Sequence, residues 1–532
     1  MKKITLLIVC LLTSILVKGQ WNSDTAINTL VDPTVSIDTK SMVNSQGETV
    51  IVYWKNLLHP ENWDLKLYVQ KLDASGNKLF GENGKLISNN IPMNSFTSQW
   101  SFTLDSNDNM YVGATGTDGN VGFAFKLDSE GNNQWTDSGI SLGSGYLVRI
   151  LPLSSGDVLI SWLSGSFSGS IQKYSSDGNA IWANPINLGS GAVSANMYEL
   201  SDGSFTSIYH QLLSGITSKL IAQRFDTDGQ AVWANPTELF TAGNNTVYNV
   251  PYSGLQDNDV IYYSYKLAHD NRFDAYVQRI NPDGSLPWGD TGVDFDIDQT
   301  NYEQEIQIAM TPGSQHIYAL CRYTESTQTL TGVYLQKLDK DSGMRLFTEN
   351  AKEVYSIGAG KSPTRDLVII NEQPIFLTLQ NNHLHVNLLD SNGDFVWEDE
   401  SKQIATFDTF KSFINFNKIS NSEMVAVFIE DKGDGEKVYA QNFTDNALSV
   451  NDVELMDEIH FINPINNILE LRSNSIIKEV TIYNSLGQLV SKIRNNNSQA
   501  LTINSNNWNS GIYLVNVKTS QNKSQVIKIL KK

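Results

Sequence analysis

The feature that most constrains this chain is a short phrase that it keeps repeating. An alternating strand runs into Asp-x-x-Gly or a close variant, and an aromatic follows. The phrase first reads Tyr68-Val69-Gln70-Lys71-Leu72-Asp73, with Gly76 and Phe80 behind it. It returns with Gly131 and Trp135, Gly178 and Trp182, Gly229 and Trp233, Gly284 and Trp288, Gly343 and Phe347, and Gly393 and Trp397. The seven glycines stand 55, 47, 51, 55, 59 and 50 residues apart. A period near 50 marks a repeat architecture.

Each repeat has two halves. In the phrase itself Asp bonds its own backbone and Gly accepts positive φ, so the sequence predicts a tight hairpin. The other half is a polar turn running into an apolar strand, as in Gln46-Gly47-Glu48 before Val50-Ile51-Val52-Tyr53-Trp54. Another short strand precedes each such turn, for example Val148-Arg149-Ile150-Leu151. Four strands per repeat without an amphipathic helix predict an all-β chain. The expected fold is an eight-bladed β-propeller over 20–454, with seven blades as the alternative.

An eighth phrase opens at Tyr439-Ala440-Gln441 and loses its ending, with Asn451 where the aromatic belongs. Near the other end, Gln20-Trp21-Asn22-Ser23-Asp24 echoes Gln134-Trp135-Thr136-Asp137-Ser138. Trp21 to about Leu30 is therefore expected to supply the missing outer strand and close the ring. Lys2 and Lys3 ahead of the apolar run Ile4 to Val17 predict a secretory signal peptide over 1–19. No later stretch reaches the roughly 18 apolar residues needed to cross a bilayer, so no transmembrane segment is expected. Loss of Cys10 with the leader would leave Cys321 alone, without an intrachain disulfide.

Charge divides the chain in two. Residues 20–454 carry 26 Lys/Arg against 53 Asp/Glu, whereas 455–532 carry nine against four. An acidic body repels polyanions, which argues against a nucleic-acid partner. The tail changes composition at 455 and reads as a small Ig-like β-sandwich of short strands. Its Asn463-Pro464, Ile482-Tyr483-Asn484-Ser485-Leu486-Gly487-Gln488, Trp508, Gly511-Ile512-Tyr513-Leu514 and Lys531-Lys532 stand in a specific order. They resemble the type A C-terminal sorting domain of the type IX secretion system of Bacteroidetes. The resemblance covers 455–532 and carries the motif onto Pro464, Gly487, Gly511, Tyr513 and Lys532. It implies recognition by that export machinery, and a protein secreted or attached to the outer cell surface.

Chemical motifs are sparse. The hairpins invite comparison with the Asp-box of sialidases, but Ser175-Ser176-Asp177-Gly178-Asn179-Ala180-Ile181-Trp182 has its glycine one residue early, and no arginine triad stands out. Asp226-Thr227-Asp228-Gly229 and Asp431-Lys432-Gly433-Asp434-Gly435 lack the full oxygen-ligand spacing of a calcium loop. His383 and His385 share one face of a strand, but His385 takes the repeat's tyrosine position and reads as packing. No metal and no cofactor are expected. The repeated glutamines Gln70, Gln172, Gln223, Gln278, Gln336 and Gln441 are expected to bond the neighbouring blade.

Whatever repeats around a ring is scaffold, so a single site belongs to what does not repeat. The variable segments are the loops between second and third strands, which share a face with the blade crossings. They run from Lys55 to Asp64, Lys266 to Asp274, Thr324 to Thr331 and Asp431 to Glu436. Long variable loops on a rigid frame carry binding. Trp63 and Arg272 are the first candidates, with Trp100 and Tyr146 at crossings. The sequence predicts an exported binding protein for an extracellular glycan or protein. The alternatives are a glycan-active hydrolase or lyase and a structural adhesin. A hydrolase would need two carboxylates to converge at the channel mouth, and Glu303, Glu305 and Asp366 are the candidates.

Overall fold

The structure, a computed structural model, describes residues 21–58, 64–214, 217–241, 246–269, 272–445, 459–461, 463–485, 487–519 and 524–532. The expected leader, Trp63 and Asn451 lie outside the described residues. The chain divides into two compact units, Met1–Leu448 and Ser449–Lys532. Among the described residues there is no helix.

In the first unit the polar turns and apolar runs become four-stranded antiparallel meanders. The first sheet comprises Ser36–Val43, Thr49–Asn56, Leu65–Leu72 and Lys85–Ser88. Asn44 Oδ1 nucleates its first turn by accepting from the amides of Gln46 (3.1 Å) and Glu48 (2.8 Å). Asp73 Oδ1 nucleates the outer hairpin by accepting from Ser75 (2.8 Å) and Asn77 (2.9 Å), while Gly76 takes φ +80°. Every residue of Thr49–Asn56 is buried, which is why that strand reads as a continuous apolar run instead of an alternation.

The second sheet holds Ser101–Leu104, Met110–Gly116, Val121–Leu127 and the start of Ile140–Pro152; that long strand continues into the third sheet with Val158–Ser164, Ser168–Tyr174 and Ile186–Ser190. The fourth sheet is Ala192–Glu199, Phe205–Ser214, Thr217–Phe225 and Thr237–Glu238. The fifth is Thr246–Asp257, Val260–His269, Arg272–Ile280 and Val293–Asp294. The sixth is Tyr302–Ala309, His316–Thr324, Thr331–Asp339 and Lys352–Tyr355; the seventh is Ser362–Ile370, Gln373–Gln380, His383–Leu388 and Ser401–Ala405. The eighth joins Lys411–Ser420, Glu423–Asp431 and Glu436–Thr444 to Thr29–Leu30 from the beginning of the chain. There Thr29 pairs with Ala440 and Leu30 with Tyr439.

The first strand of each sheet packs against the first strand of the next, and Lys411–Ser420 packs against Ser36–Val43. A separate apolar cluster fills each gap between successive sheets. Val52, Trp54 and Val112 belong to the first gap; Ile51, Tyr53, Val427 and Val438 lie between the eighth sheet and the first. The outer aromatics add a second layer. Trp135 Nε1 donates to Ser176 O (3.1 Å), Trp233 to Pro282 O (3.0 Å) and Trp288 to Asp341 O (3.3 Å), each on the next sheet's hairpin. The hairpin glycine is what lets the ring approach: a Cβ on Gly178 or Gly284 would stand 2.9 Å from it.

The repeated glutamine does something other than join neighbouring sheets. Gln70 Nε2 donates to Gly81 O (2.6 Å), and its Oε1 accepts from Lys71 N and Phe80 N at 3.0 Å. Gln172 and Gln223 likewise reach the carbonyls of Trp182 (3.1 Å) and Trp233 (3.0 Å). The amide thus pins the outer segment of its own sheet, where the hairpin leaves backbone groups without ladder partners. Only as a second bond do Gln278 and Gln336 touch the preceding sheet, at Leu239 O (3.3 Å) and Phe295 O (3.4 Å).

The second unit is an antiparallel sheet of His460–Phe461, Ile468–Asn484, Leu489–Asn504, Gly511–Thr519 and Ser524–Lys531. Two of its strands are longer than the sequence suggested. Ile468–Asn484 runs on through a register shift between Arg472 and Ile477 instead of breaking into short strands. Gly487 closes a turn, its amide donating to Asn484 O (3.0 Å). Tyr513 packs on Trp508 at 4.9 Å and donates to Asn509 O, and the Lys532 amide donates to Ile465 O (3.0 Å). Pro464 follows a cis peptide bond and Gly511 opens its strand.

Candidate functional site

The first strands carry a recurring irregularity at the end facing the variable loops. Register shifts lie between Ser36 and Asp38, Ser194 and Asn196, Tyr248 and Ser253, Glu303 and Glu305, Pro363 and Leu367, and Ser412 and Asn415. A bulge re-aims the side chains around it. Here the bulges of the first, sixth, seventh and eighth sheets border a cavity of about 590 Å³, to which Ser98, ahead of the second sheet, also contributes.

Charge of both signs faces that cavity: Lys40, Arg322 and Arg365, with Asp38, Glu305 and Asp366. Glu305 is shared by two arginines, Arg322 Nη2 at 3.4 Å and Arg365 Nη2 at 3.7 Å. Asp366 Oδ2 accepts from Phe416 N (2.7 Å), yet burial pushes its carboxyl up to about 6. Burial also raises Asp38 to about 6, against the opposing pull of Lys40 and of the Trp100 indole. Lys40 Nζ stands 4.8 Å from the Trp100 ring centroid, and burial lowers its pKa. Lys411 is fully buried beneath, held by Glu430 at 3.1 Å and by the carbonyls of Phe407 and Thr409.

Two lining atoms lack hydrogen-bond partners. Thr364 Oγ1 and Arg322 Nε are buried and make no hydrogen bond. A buried polar atom without a partner is costly and calls for a ligand or water. Phe410 and Phe413, 64% and 41% exposed, add apolar surface to the same cavity. Phe413 holds φ +48°, a conformation that costs a non-glycine residue of order 1–3 kcal/mol. Asn415 stitches the wall together, donating to Thr39 O (3.1 Å) across the gap between eighth and first sheets.

The residues singled out from sequence separate. Trp100 is buried, edge-on to Trp54, and its Nε1 donates to Asp38 Oδ2 (2.7 Å); its reach to the cavity is through Asp38 and Lys40. Arg272 is not on a long loop, because Val260–His269 and Arg272–Ile280 pair up to His269↔Arg272. Its guanidinium is buried against Asp274 (Nε to Oδ1, 2.8 Å) and Asp298 O (3.2 Å). Tyr146 stands on the rim of a second cavity, of about 390 Å³, edge-on to Phe167 at 6.1 Å. Of the three candidate carboxylates, Glu305 and Asp366 line one cavity. Glu303 turns inward, accepts from Ala275 N (2.6 Å) and lies beside Asp296; burial and those acidic neighbours hold its carboxyl well above the usual range.

The other residues singled out by their motifs are engaged within the fold. Asp226 Oδ1 accepts from the amides of Asp228 (3.0 Å) and Gln230 (2.8 Å), the work of a turn. His385 is buried with Nδ1 3.2 Å from Ser401 Oγ, and burial lowers its pKa to about 4. Cys321 is fully buried, which pushes its thiol well up. Phe410 and Phe413 were missed. The signal available was the run Phe407, Phe410 and Phe413, aromatics gathered where a crossing enters its strand and polar residues are usual.

Comparison with known proteins identifies the tail. Residues 461–532 match the family model of the secretion system C-terminal sorting domain, the type IX domain that its motifs resemble. That domain indicates export through the type IX machinery, with secretion and attachment to the outer cell surface. Among curated proteins nothing matches. Among solved structures, puromycin hydrolase is similar at 12% identity over 78% of this chain, with a TM-score of 0.39; this chain spans 61% of that enzyme's length. An ulvan lyase, from a new family of polysaccharide lyase, is 11% identical over 81% of this chain and 99% of its own, with a TM-score of 0.40. The Dos1 propeller is 11% identical over 79% and 95%, with a TM-score of 0.43. Identities and scores this low say nothing about the chemistry of the site.

Proposed function

We propose that the first unit is an eight-bladed β-propeller closed by Trp21 to Leu30, and that it binds extracellular carbohydrate in the larger cavity. The carrying observation is the company Arg322, Arg365 and Lys40 keep there with Asp38, Glu305, Asp366 and two exposed phenylalanines. Carboxylates and guanidinium groups hydrogen-bond hydroxyls from both directions, and exposed aromatic rings cover the apolar faces of sugars. Unpartnered Thr364 Oγ1 and Arg322 Nε are the groups such a ligand would satisfy. Its volume falls within the roughly 300–1,000 Å³ of ligand sites.

A second reading is hydrolysis of the glycan. Glu305 and Asp366 share the cavity, and the Asp366 carboxyl is pushed up to about 6, as suits a general acid. A glycan array with the exported protein, followed by product analysis on whatever is bound, separates the readings. Binding without product supports the first and product release the second; an array with no signal contradicts both.

A further inference from the structure

The smaller cavity has a different chemistry. Its lining comes from the crossing before the second sheet (Thr97, Gln99), from Thr115, Thr117 and Asn120 at the end of one strand and its loop, from Ser144 and Tyr146 at a bend, and from Gly165 and Phe167. Among the described residues no Asp, Glu, Lys or Arg lines it. What it offers is hydroxyl and amide groups around one aromatic pair.

These walls are built, not loose. Gly145 N donates to Asn120 O (2.7 Å) and Gly165 N to Ser144 O (3.0 Å), so three separate segments are tied by backbone bonds. Leu147 and Phe167 hold φ of +59° and +58°. Strain of that kind in bulky residues clusters at ligand sites. It presents Phe167 58% exposed with Tyr146 edge-on beside it. Thr115 Oγ1 is buried in the lining and makes no hydrogen bond. That orphaned hydroxyl points independently to a ligand with a complementary polar group.

The two cavities are neighbours. Thr97 and Gln99 line the smaller one, and Ser98 between them lines the larger. We propose that the Tyr146–Phe167 cavity is a subsite for a neutral sugar residue, and that the ligand is a chain running from it across Ser98 into the charged cavity. The proposal rests on the carbohydrate reading above and specifies it further. A neutral, hydroxyl-rich pocket with an aromatic wall suits an uncharged pyranose, because a carboxylate or sulfate would be buried there without a counter-charge.

Titration calorimetry of the full protein with xylo-, manno- and laminari-oligosaccharides of two to six residues tests this. At least one series should bind, with affinity rising as the chain lengthens. Phe167→Ala, which removes an exposed ring and leaves the core intact, should weaken the longest oligosaccharide at least tenfold. Thr115→Val, which keeps the shape, should weaken it several-fold, and thermal melts of both variants should match the parent. If Arg365→Ala abolishes binding while Phe167→Ala and Thr115→Val leave it unchanged, this subsite is wrong and the charged cavity stands alone. If none of the three series binds, the neutral subsite is overturned, and the array decides separately whether an acidic glycan occupies the larger cavity.

Discussion

Trp21 lies against Gly76, although they stand 55 positions apart in the chain: its Nε1 donates to Ala74 O (2.9 Å), and a Cβ on Gly76 would stand 2.9 Å from its ring. The same arrangement joins Trp135 to Gly178 and Trp233 to Gly284. Gln441 Nε2 donates to Asn22 O (2.9 Å), as Gln278 does to Gly289 O (2.8 Å), each carbonyl directly following the aromatic. The start of the described chain thus repeats the indole bond, the glycine contact and the glutamine bond of an outer hairpin segment.

Substituting Trp21→Ala should therefore cost about 3–5 kcal/mol, the range for deleting a packed aromatic. Gly76→Ala adds a methyl where φ is +80° and the indole is already in contact, so a loss of about 1–3 kcal/mol is expected. Denaturant unfolding of the two variants checks both figures. If Trp21→Ala unfolds at the parent midpoint, the terminal segment closes nothing.

The pairing of the segment ending at Leu30 with the strand at Tyr439 was legible because the phrase repeats, whereas the seat of Trp21 on the Gly76 hairpin was not: position in a period is information that one strand alone lacks. The site was legible only by region. Glu303 and Glu305 sit two apart on one strand, so alternation puts them on the same face, yet the register shift between them sends one inward and the other into the cavity. Nothing in the local sequence announces that bulge. Trp100 carries the composition of a binding aromatic and is a packed one, because its partner Asp38 lies 62 positions away.

Stability should depend on pH through Asp366 and Asp38. Both carboxyls sit near 6 in the fold against an ordinary 3.8, so between these values the folded state holds protons that the unfolded state has lost. Their contribution is complete below about pH 4 and is lost as the pH rises through about 6. Burial raises Asp294 to about 7, extending the decline. Asp366→Asn should flatten the slope between pH 4 and 6 relative to the parent, as read from melting temperature against pH. An unchanged slope would show that Asp366 is ionised throughout.

The buried glutamines make a separate prediction. Gln70→Leu leaves Phe80 N, Lys71 N and Gly81 O without the bonds that the amide supplies. Orphaning buried backbone groups costs about 1–3 kcal/mol. Because the bonds fix the outer segment of one sheet, amide exchange should quicken first around Phe80 and Gly81, and only weakly in the second sheet. Equal loosening of both sheets would return the glutamine to the bridging role.

Deleting 459–532 should stop delivery to the cell surface, since the sorting domain matches 461–532. Cell fractionation and surface labelling would show the truncated protein retained inside the outer membrane. Normal surface display of the truncated chain would mean that another segment carries the export signal.

Whether the larger cavity holds a glycan is decided by a crystal structure of the protein with an array-selected oligosaccharide. Sugar density is expected between Arg322, Arg365 and Asp366, with a hydroxyl within hydrogen-bond reach of Thr364 Oγ1. Density at any other face, with this cavity holding only solvent, would contradict it.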